Sequence, residues 1–202
     1  EYVMIDITGL KTVYEKVEHV PGWFSFEDAV ALYNCIPEEG IVVEVGCFCG
    51  KSARFISSFI DVVCIDPLKS YNDHFLSCAR RVTDSEIDNG DFECFFKQHA
   101  ILDNENRHRI QLIKKCDFDV WSNWKYGKIG LLYIDHEHTE NSVFESIVNW
   151  EKHLTKDAFV VVHDAMHKGV LSGIARSNIR VCKIVRESLY CPAVCKWSPM
   201  FL

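Results

Sequence analysis

Ile41-Val42-Val43-Glu44-Val45-Gly46-Cys47-Phe48-Cys49-Gly50-Lys51-Ser52 is the stretch from which the architecture of this chain can be read. Ile41 to Val45 form a β-branched run interrupted only by Glu44, the pattern of a strand buried on both faces in a parallel sheet. Gly46 and Gly50 suit a tight strand-to-helix turn, where a side chain would clash or φ turns positive. Lys51 to Ile60 predict a helix whose free amides face that turn. The expectation is a small-molecule cradle at the carboxyl end of the first strand, where open α/β sheets bind ligands.

The glycine spacing narrows the ligand. A dinucleotide fingerprint needs a glycine two residues after the first, so that backbone can approach a pyrophosphate. Phe48 stands there. Gly50-Lys51-Ser52 has the tail of a phosphate loop, but Val45 occupies the place of its upstream glycine. Glu44-x-Gly46-x-x-x-Gly50 remains. An acid with glycines suits a ligand carrying hydroxyls, an amino group and positive charge but no phosphate, and S-adenosylmethionine (SAM) is such a ligand. A glycine turn that only packs a helix on a strand explains the same residues, so the rest of the chain must decide.

The chain has 202 residues, 48% hydrophobic and 25% charged, which fits one domain with a sizeable core. Residues 1–40 read as a helical lead-in and 41–202 as the core. The formal net charge is -7. With no long basic run, nucleic acid is not an expected partner. No apolar stretch reaches the length of a membrane span, and no secretory signal is read at the start, so the expected setting is cytoplasmic. Ten cysteines in a chain of this size read as reduced thiols, with Cys35, Cys64, Cys78 and Cys94 among apolar residues. Cys182, Cys191 and Cys195 lack the paired spacing of a zinc site. A small-molecule substrate is expected, and a homo-oligomer stays open.

Pro21-Gly22 ends a weak helical pattern, and Ser25 is an N-cap for a helix carrying Ala29, Leu32, Tyr33 and Ile36 inward. Asp61 to Pro67 predict a second buried strand ending in Asp66, about twenty residues past Gly46, where nucleotide-binding α/β units place a ribose-binding carboxylate. A strand-terminal acid capping the next turn is the alternative. Residues 70–105 read as helical and mixed, with Phe75, Leu76, Phe92, Phe95 and Phe96 inward and a break at Asp88 to Asp91. Arg109 to Lys114 predict a third strand, with Asp117 beyond its end. Trp121 and Trp124 suit packing better than a substrate platform.

Ile129 to Ile134 predict a fourth strand that runs into Asp135-His136-Glu137-His138. Thr139 then starts a helix with Val143, Phe144, Ile147, Val148 and Trp150 on one face. Ala158 to Asp164 read as a fifth strand, again ending in titratable groups. If these strands are neighbours, Asp135, His138, His163 and Asp164 converge, which suits a general base or an oxygen-rich metal site. Helix capping and mutual pairing are the alternative, and they are the preferred reading for His136 and His167. Gly169 to Ile179 predict a helix, and Val181 to Glu187 with Ala193 to Trp197 a closing β-hairpin.

This succession resembles the class I SAM-dependent methyltransferases, more narrowly their methyltransferase-24-type branch. The resemblance rests on Gly22-Trp23-Phe24-Ser25, Val43-Glu44-Val45-Gly46 with Gly50-Lys51-Ser52, and Val63-Cys64-Ile65-Asp66-Pro67. It continues in Leu132-Tyr133-Ile134-Asp135 with His138-Thr139, and in Val161-Val162-His163-Asp164-Ala165. It implies an α/β, Rossmann-like three-layer sandwich with a seven-stranded, mostly parallel sheet and an antiparallel last strand. It implies a SAM cradle from Glu44, Gly46, Cys47, Phe48, Gly50 and Ser52, with Asp135 at its edge. Asp66 would hold the ribose, and Asp117 with Phe118 would border the adenine. Asp135 and Asp164 match the acids that bind a divalent cation, Mg²⁺, in related O-methyltransferases, and His163 stands where such enzymes often have another acid. His136-Glu137 and Lys156-Asp157-Ala158 depart from the usual pattern.

The activity implied is O-methylation of a sugar or another hydroxyl compound. The catalytic residues would be His138 as first choice of base, His163 as second, and Asp135. Two other readings stand beside it. One is a SAM-binding protein without catalysis. The other is an NAD-dependent oxidoreductase, against which Phe48 argues.

Overall fold

A computed structural model describes residues 6–69, 92–177, 179–185, 188 and 192–196. The elements are α1 (Ile7–Glu15), α2 (Phe26–Tyr33), β1 (Ile41–Val45), α3 (Lys51–Ser57) and β2 (Val62–Ile65). There follow α4 (Glu93–Phe96), β3 (Ile110–Ile113), β4 (Ile129–Ile134), α5 (Glu140–Trp150), β5 (Leu154–Val162), α6 (Lys168–Arg176), β6 (Arg180–Ile184) and β7 (Ala193–Lys196). No helix among the described residues is long and apolar enough to cross a membrane. The readings for Phe75, Leu76, Cys78, the Asp88–Asp91 break and Cys191 lie outside the described residues.

The seven strands form one sheet in the order β3-β2-β1-β4-β5-β7-β6. β1 to β5 pair in parallel, and β7 runs antiparallel between β5 and β6. The strand order reverses direction between β1 and β4, so the carboxyl ends of these two strands flank a topological switch point.

Period-2 alternation sends successive residues of each strand to opposite faces. Val42, Leu131, Tyr133 and Val161 join α1, α2 and α3 through Leu10, Ala29, Leu32, Phe55 and Ile56. Val43, Val45, Leu132, Ile134, Val160 and Val162 join α5 and α6 through Val143, Ile147, Trp150, Val170 and Ile174. The result is the three-layer sandwich, with helices on both faces. Leu131 and Leu132 are both fully buried, one on each face. Burying such a side chain contributes about 1.5–3 kcal/mol.

Local signals place several boundaries. Ser25 Oγ accepts from the Asp28 amide while the Asp28 carboxylate accepts from the Ser25 amide at 2.8 Å, a reciprocal cap that starts α2. Thr139 caps α5 through the Ser142 amide. Other expectations need correction. The helix expected around residues 93–105 is one α-turn, α4, continued by a π-helix over Lys97–Leu102. Phe96 and Phe92 are buried there, but Phe95 is only partly so, and Cys94 is exposed rather than packed in the core. On α5, Val143, Ile147 and Trp150 face the core whereas Val148 is exposed and Phe144 is only half-buried, receiving the Arg176 guanidinium on its ring. β5 begins at Leu154, before the Ala158 expected from the apolar run. Cys35, Cys47, Cys49, Cys64, Cys94, Cys116, Cys182 and Cys195 are free thiols.

Candidate active site at the β1–β4 switch point

Gly46 ends β1 with φ +88°, and a Cβ there would lie 2.0 Å from the carbonyl oxygen of Asp135. Only glycine lets the two strand ends approach this closely. Gly50 caps α3 with φ +82°, and a Cβ would press to 2.6 Å from Ala100. The two glycines named by the sequence are therefore required by backbone geometry. Among the described residues, the non-glycine positions with positive φ are Phe48, Leu68 and Asp164. They follow the carboxyl ends of β1, β2 and β5. Conformational strain of this kind persists where surrounding structure imposes it, and it clusters at functional sites.

Glu44 is fully buried and accepts from Ser52 Oγ, with Cys64 Sγ 3.6 Å from its other oxygen. Burial pushes this carboxyl up to about 8, despite the Ser52 hydrogen bond, so it carries a proton at neutral pH. Asp66 does two jobs at once. Its Oδ2 accepts from the amides of Cys47 at 2.8 Å and Phe48 at 3.0 Å, and its Oδ1 accepts from the Leu68 amide at 2.6 Å. Burial raises its pKa while these three amides oppose the rise. The turn-capping alternative is thus realised, and the same carboxylate also ties the glycine loop to β2. Oδ2 thus has both lone pairs engaged, and Oδ1 keeps one for a further donor.

Phe48, on the loop, stacks on Trp23 at 5.4 Å and meets Phe92 edge-on at 5.0 Å. Beyond β3, Asp117 accepts from Ser146 Oγ of α5, and Ser146 in turn lies 2.7 Å from His136 Nε2. His136 is therefore engaged structurally, as the sequence favoured. Phe118 beside it, in the turn that follows β3, is 62% exposed. Trp124 packs edge-on against Trp150, a structural role.

Asp135, His138, His163 and Asp164 do come together. His163 Nδ1 lies 3.0 Å from Asp135 Oδ1 and 3.5 Å from Asp164 Oδ2, and His138 Nε2 lies 3.3 Å from Asp164 Oδ2. Tyr133 Oη donates to Asp135 Oδ2 at 3.4 Å. The His163 side chain is 1% exposed, at the floor, while that of His138 is 39% exposed, at the rim. Burial alone would lower the His163 pKa, but Asp135, Asp164 and Asp28 hold it well above the usual histidine value. Burial lowers that of His138, against the pull of Asp164 and Asp135. His163 is thus an enclosed imidazolium, and His138 is an accessible neutral imidazole.

One participant has no local signature in the sequence. Asp28 reads as an ordinary first-turn acid of α2, yet it is buried, with its Oδ2 3.9 Å from His163 Nε2. Ser188 Oγ donates to its Oδ1. Burial would raise its pKa, and His163 and Ser188 pull it below the ordinary carboxylate value.

One donor atom each from Asp135, His138 and Asp164 fall within 4.8 Å of one another, a spacing that a divalent ion can draw together. A separate surface cleft of about 350 Å³, lined among others by Lys16, His19, Arg54 and Asn104, shares no residue with this cluster.

A family model described as a methyltransferase domain, Methyltransf_24, matches residues 43–165, from the first strand to just past Asp164. No curated protein sequence matches the chain. Among solved structures, the O-methyltransferase NovP superposes with TM-score 0.56 at 14% identity, covering 98% of this chain and 83% of that one. An O-methyltransferase from Bacillus cereus in complex with SAH gives 0.54 at 12% identity, covering 98% and 94%. A cofactor-bound protein, Rv0187 from MTB, gives 0.54 at 14% identity, covering 96% and 91%. At these identities the likeness is one of fold.

Proposed function

Because the chain belongs to the methyltransferase-24 family, we propose that it transfers a methyl group from SAM to a hydroxyl oxygen of a small molecule, a sugar or another hydroxyl compound. The observation that carries the reading is the double placement of Asp135. Its backbone carbonyl packs against Gly46 of the cofactor loop, and its carboxylate meets His163 in the polar cluster. One residue therefore joins a donor cradle to an acceptor site. The O-methyltransferase named in the B. cereus complex holds SAH, the demethylated cofactor, on the same fold.

In this reading the loop Gly46 to Gly50, with Glu44 and Ser52 beneath it, shapes the space for the methionine portion. Asp66 accepts from a ribose hydroxyl with the lone pair of Oδ1 that the Leu68 amide leaves over. Phe118 and Asp117 border the adenine. As the acceptor oxygen bonds to the methyl carbon, the carbon–sulfur bond breaks and its electron pair returns to sulfur, leaving a neutral thioether. His138 takes the hydroxyl proton, oriented by Asp164 as the third member of a triad orients its histidine. His163 is enclosed and already protonated, so it does not serve as the base. The methyl group is intrinsically activated, and the chain's main contribution is alignment of donor and acceptor, worth up to about 7–11 kcal/mol.

Asp135 and Asp164, with an imidazole beside them, would hold a divalent ion. Such an ion makes an acceptor hydroxyl more acidic.

Titration calorimetry with SAM and SAH tests the cradle, and transfer of labelled methyl to a panel of hydroxylated small molecules tests the chemistry. Binding with transfer is the expected result. Binding without transfer to any acceptor supports the non-catalytic reading, and absence of binding by either cofactor overturns the proposal.

A further inference from the structure

Two residues other than glycine sit in left-handed backbone around the cofactor loop, Phe48 at φ +45° and Leu68 at φ +50°. One carboxylate holds both amides, that of Phe48 on Asp66 Oδ2 at 3.0 Å and that of Leu68 on Oδ1 at 2.6 Å. Phe92 closes the circuit. Its amide donates to the Leu68 carbonyl at 2.8 Å, and its ring meets that of Phe48 edge-on at 5.0 Å. Trp23, in the segment between α1 and α2, stacks on Phe48 at 5.4 Å with the ring planes 30° apart. That segment is anchored in turn. Tyr14 Oη of α1 donates to the Phe24 carbonyl at 2.9 Å, and the Phe24 ring lies 5.6 Å from that of Phe55 on α3. A phenylalanine in left-handed backbone persists only where its surroundings over-determine it. The Asp66 hydrogen bond fixes the Phe48 amide, and the rings of Trp23 and Phe92 fix its side chain.

Resting on the reading of this loop as the SAM cradle, we propose that Trp23 is a positioning residue for the cofactor. Its indole keeps the Phe48 ring in place, and with it the left-handed turn that brings the Cys47 and Phe48 amides together on Asp66. A loop that leaves this turn releases Asp66 Oδ2 and lets the carboxylate swing away from the ribose. Trp23 thereby ties the helical lead-in to cofactor binding, acting through the Phe48 ring. A ligand that recognises one loop conformation is weakened by the inverse of the fraction of chains that hold it. An aromatic pair is of the size that changes such a fraction by about 3–10-fold.

The experiment is titration calorimetry of the full chain with SAH, with urea unfolding of each variant to report that it is folded. Trp23→Leu keeps an apolar side chain without a ring and should weaken SAH by about 3–10-fold. Trp23→Met is the second ringless variant if the first does not fold. Trp23→Phe restores a ring and should return the affinity to within about twofold of the unmodified chain. Phe48→Gly supplies the deciding background, because glycine adopts left-handed backbone without support. There Trp23→Leu should change SAH affinity by less than about twofold, the non-additivity expected of two residues that act as one. Unchanged SAH affinity in Trp23→Leu, whatever its urea midpoint, would make Trp23 a packing residue only and overturn the proposal. So would a loss that Trp23→Phe does not restore, or an equal loss with and without Phe48→Gly. These outcomes leave the methyltransferase reading standing. An unmodified chain that binds neither SAM nor SAH would strike that reading itself, and this proposal with it.

Discussion

Replacing Glu44 by Gln should change how stability depends on pH, and by an amount that the burial of this carboxyl sets. In the folded chain Glu44 has no contact with solvent and ionises near pH 8, against 4.5 in an unperturbed carboxyl. Between these values the folded state keeps a proton that the unfolded state releases. Stability therefore falls as pH rises above 4.5 and stops falling from this source once pH passes about 8. The substituted amide cannot ionise, keeps a side chain of the same shape, and can still accept from Ser52 Oγ. Each pKa unit corresponds to about 1.4 kcal/mol, so the wild type should lose about 3 kcal/mol relative to Glu44→Gln between about pH 5.5 and pH 8. Urea unfolding of both proteins at a series of pH values, with the same fitted slope, gives the difference directly. A gap between the two curves that stays constant across this range would refute the reasoning, because it would mean that Glu44 ionises at the same pH in both states.

Gly46→Ala should lower stability by at least about 2 kcal/mol, because the new methyl meets the Asp135 carbonyl and φ is left-handed; a urea midpoint indistinguishable from wild type would contradict the close approach of β1 and β4. Asp66→Asn replaces a carboxylate that accepts three amides and should cost about 1.5–3 kcal/mol, with SAH binding weakened in the same calorimeter; unchanged affinity would remove Asp66 from the cofactor site. His138→Ala should lower turnover by about 10²–10⁴-fold with SAH affinity preserved. The acid limb of the wild-type rate profile should fall below pH 6.5, the ordinary histidine value, since burial depresses this imidazole, and a limb that persists in His138→Ala would assign it to another group.

The first strand and its glycine loop were legible because their signals are local. A buried strand shows as a β-branched run, and the turn after it shows as glycines at Gly46 and Gly50 that no other residue can replace. The caps at Ser25 and Thr139 follow from side chains bonding amides within three residues. The pairing of β4 with β5, and with it the meeting of Asp135 and Asp164, was inferable from two apolar runs that both end in titratable residues. The π-helix after α4 was not, because its hydrogen-bond pattern leaves the same composition as an α-helix. Nor was the exposure of Val148, which has the spacing of a core residue on a helix whose buried stripe is narrower than its apolar one.

The sequence by itself determined the class of fold, the glycine loop and the acids at the strand ends, since periodicity and backbone sterics act over a few residues. Tertiary structure decided what those acids face. Asp66 turned toward the loop amides, Asp117 toward Ser146, and Asp28 crossed from the first layer of helices to the floor of the site beside His163. A carboxylate carries no mark in the sequence of the partner it will meet. Only the packing of α2 against the sheet brings a charge from the chain's first quarter to an imidazole beyond β5, and the acids gathered there keep the proton on His163 against its burial, whereas burial takes it from His138.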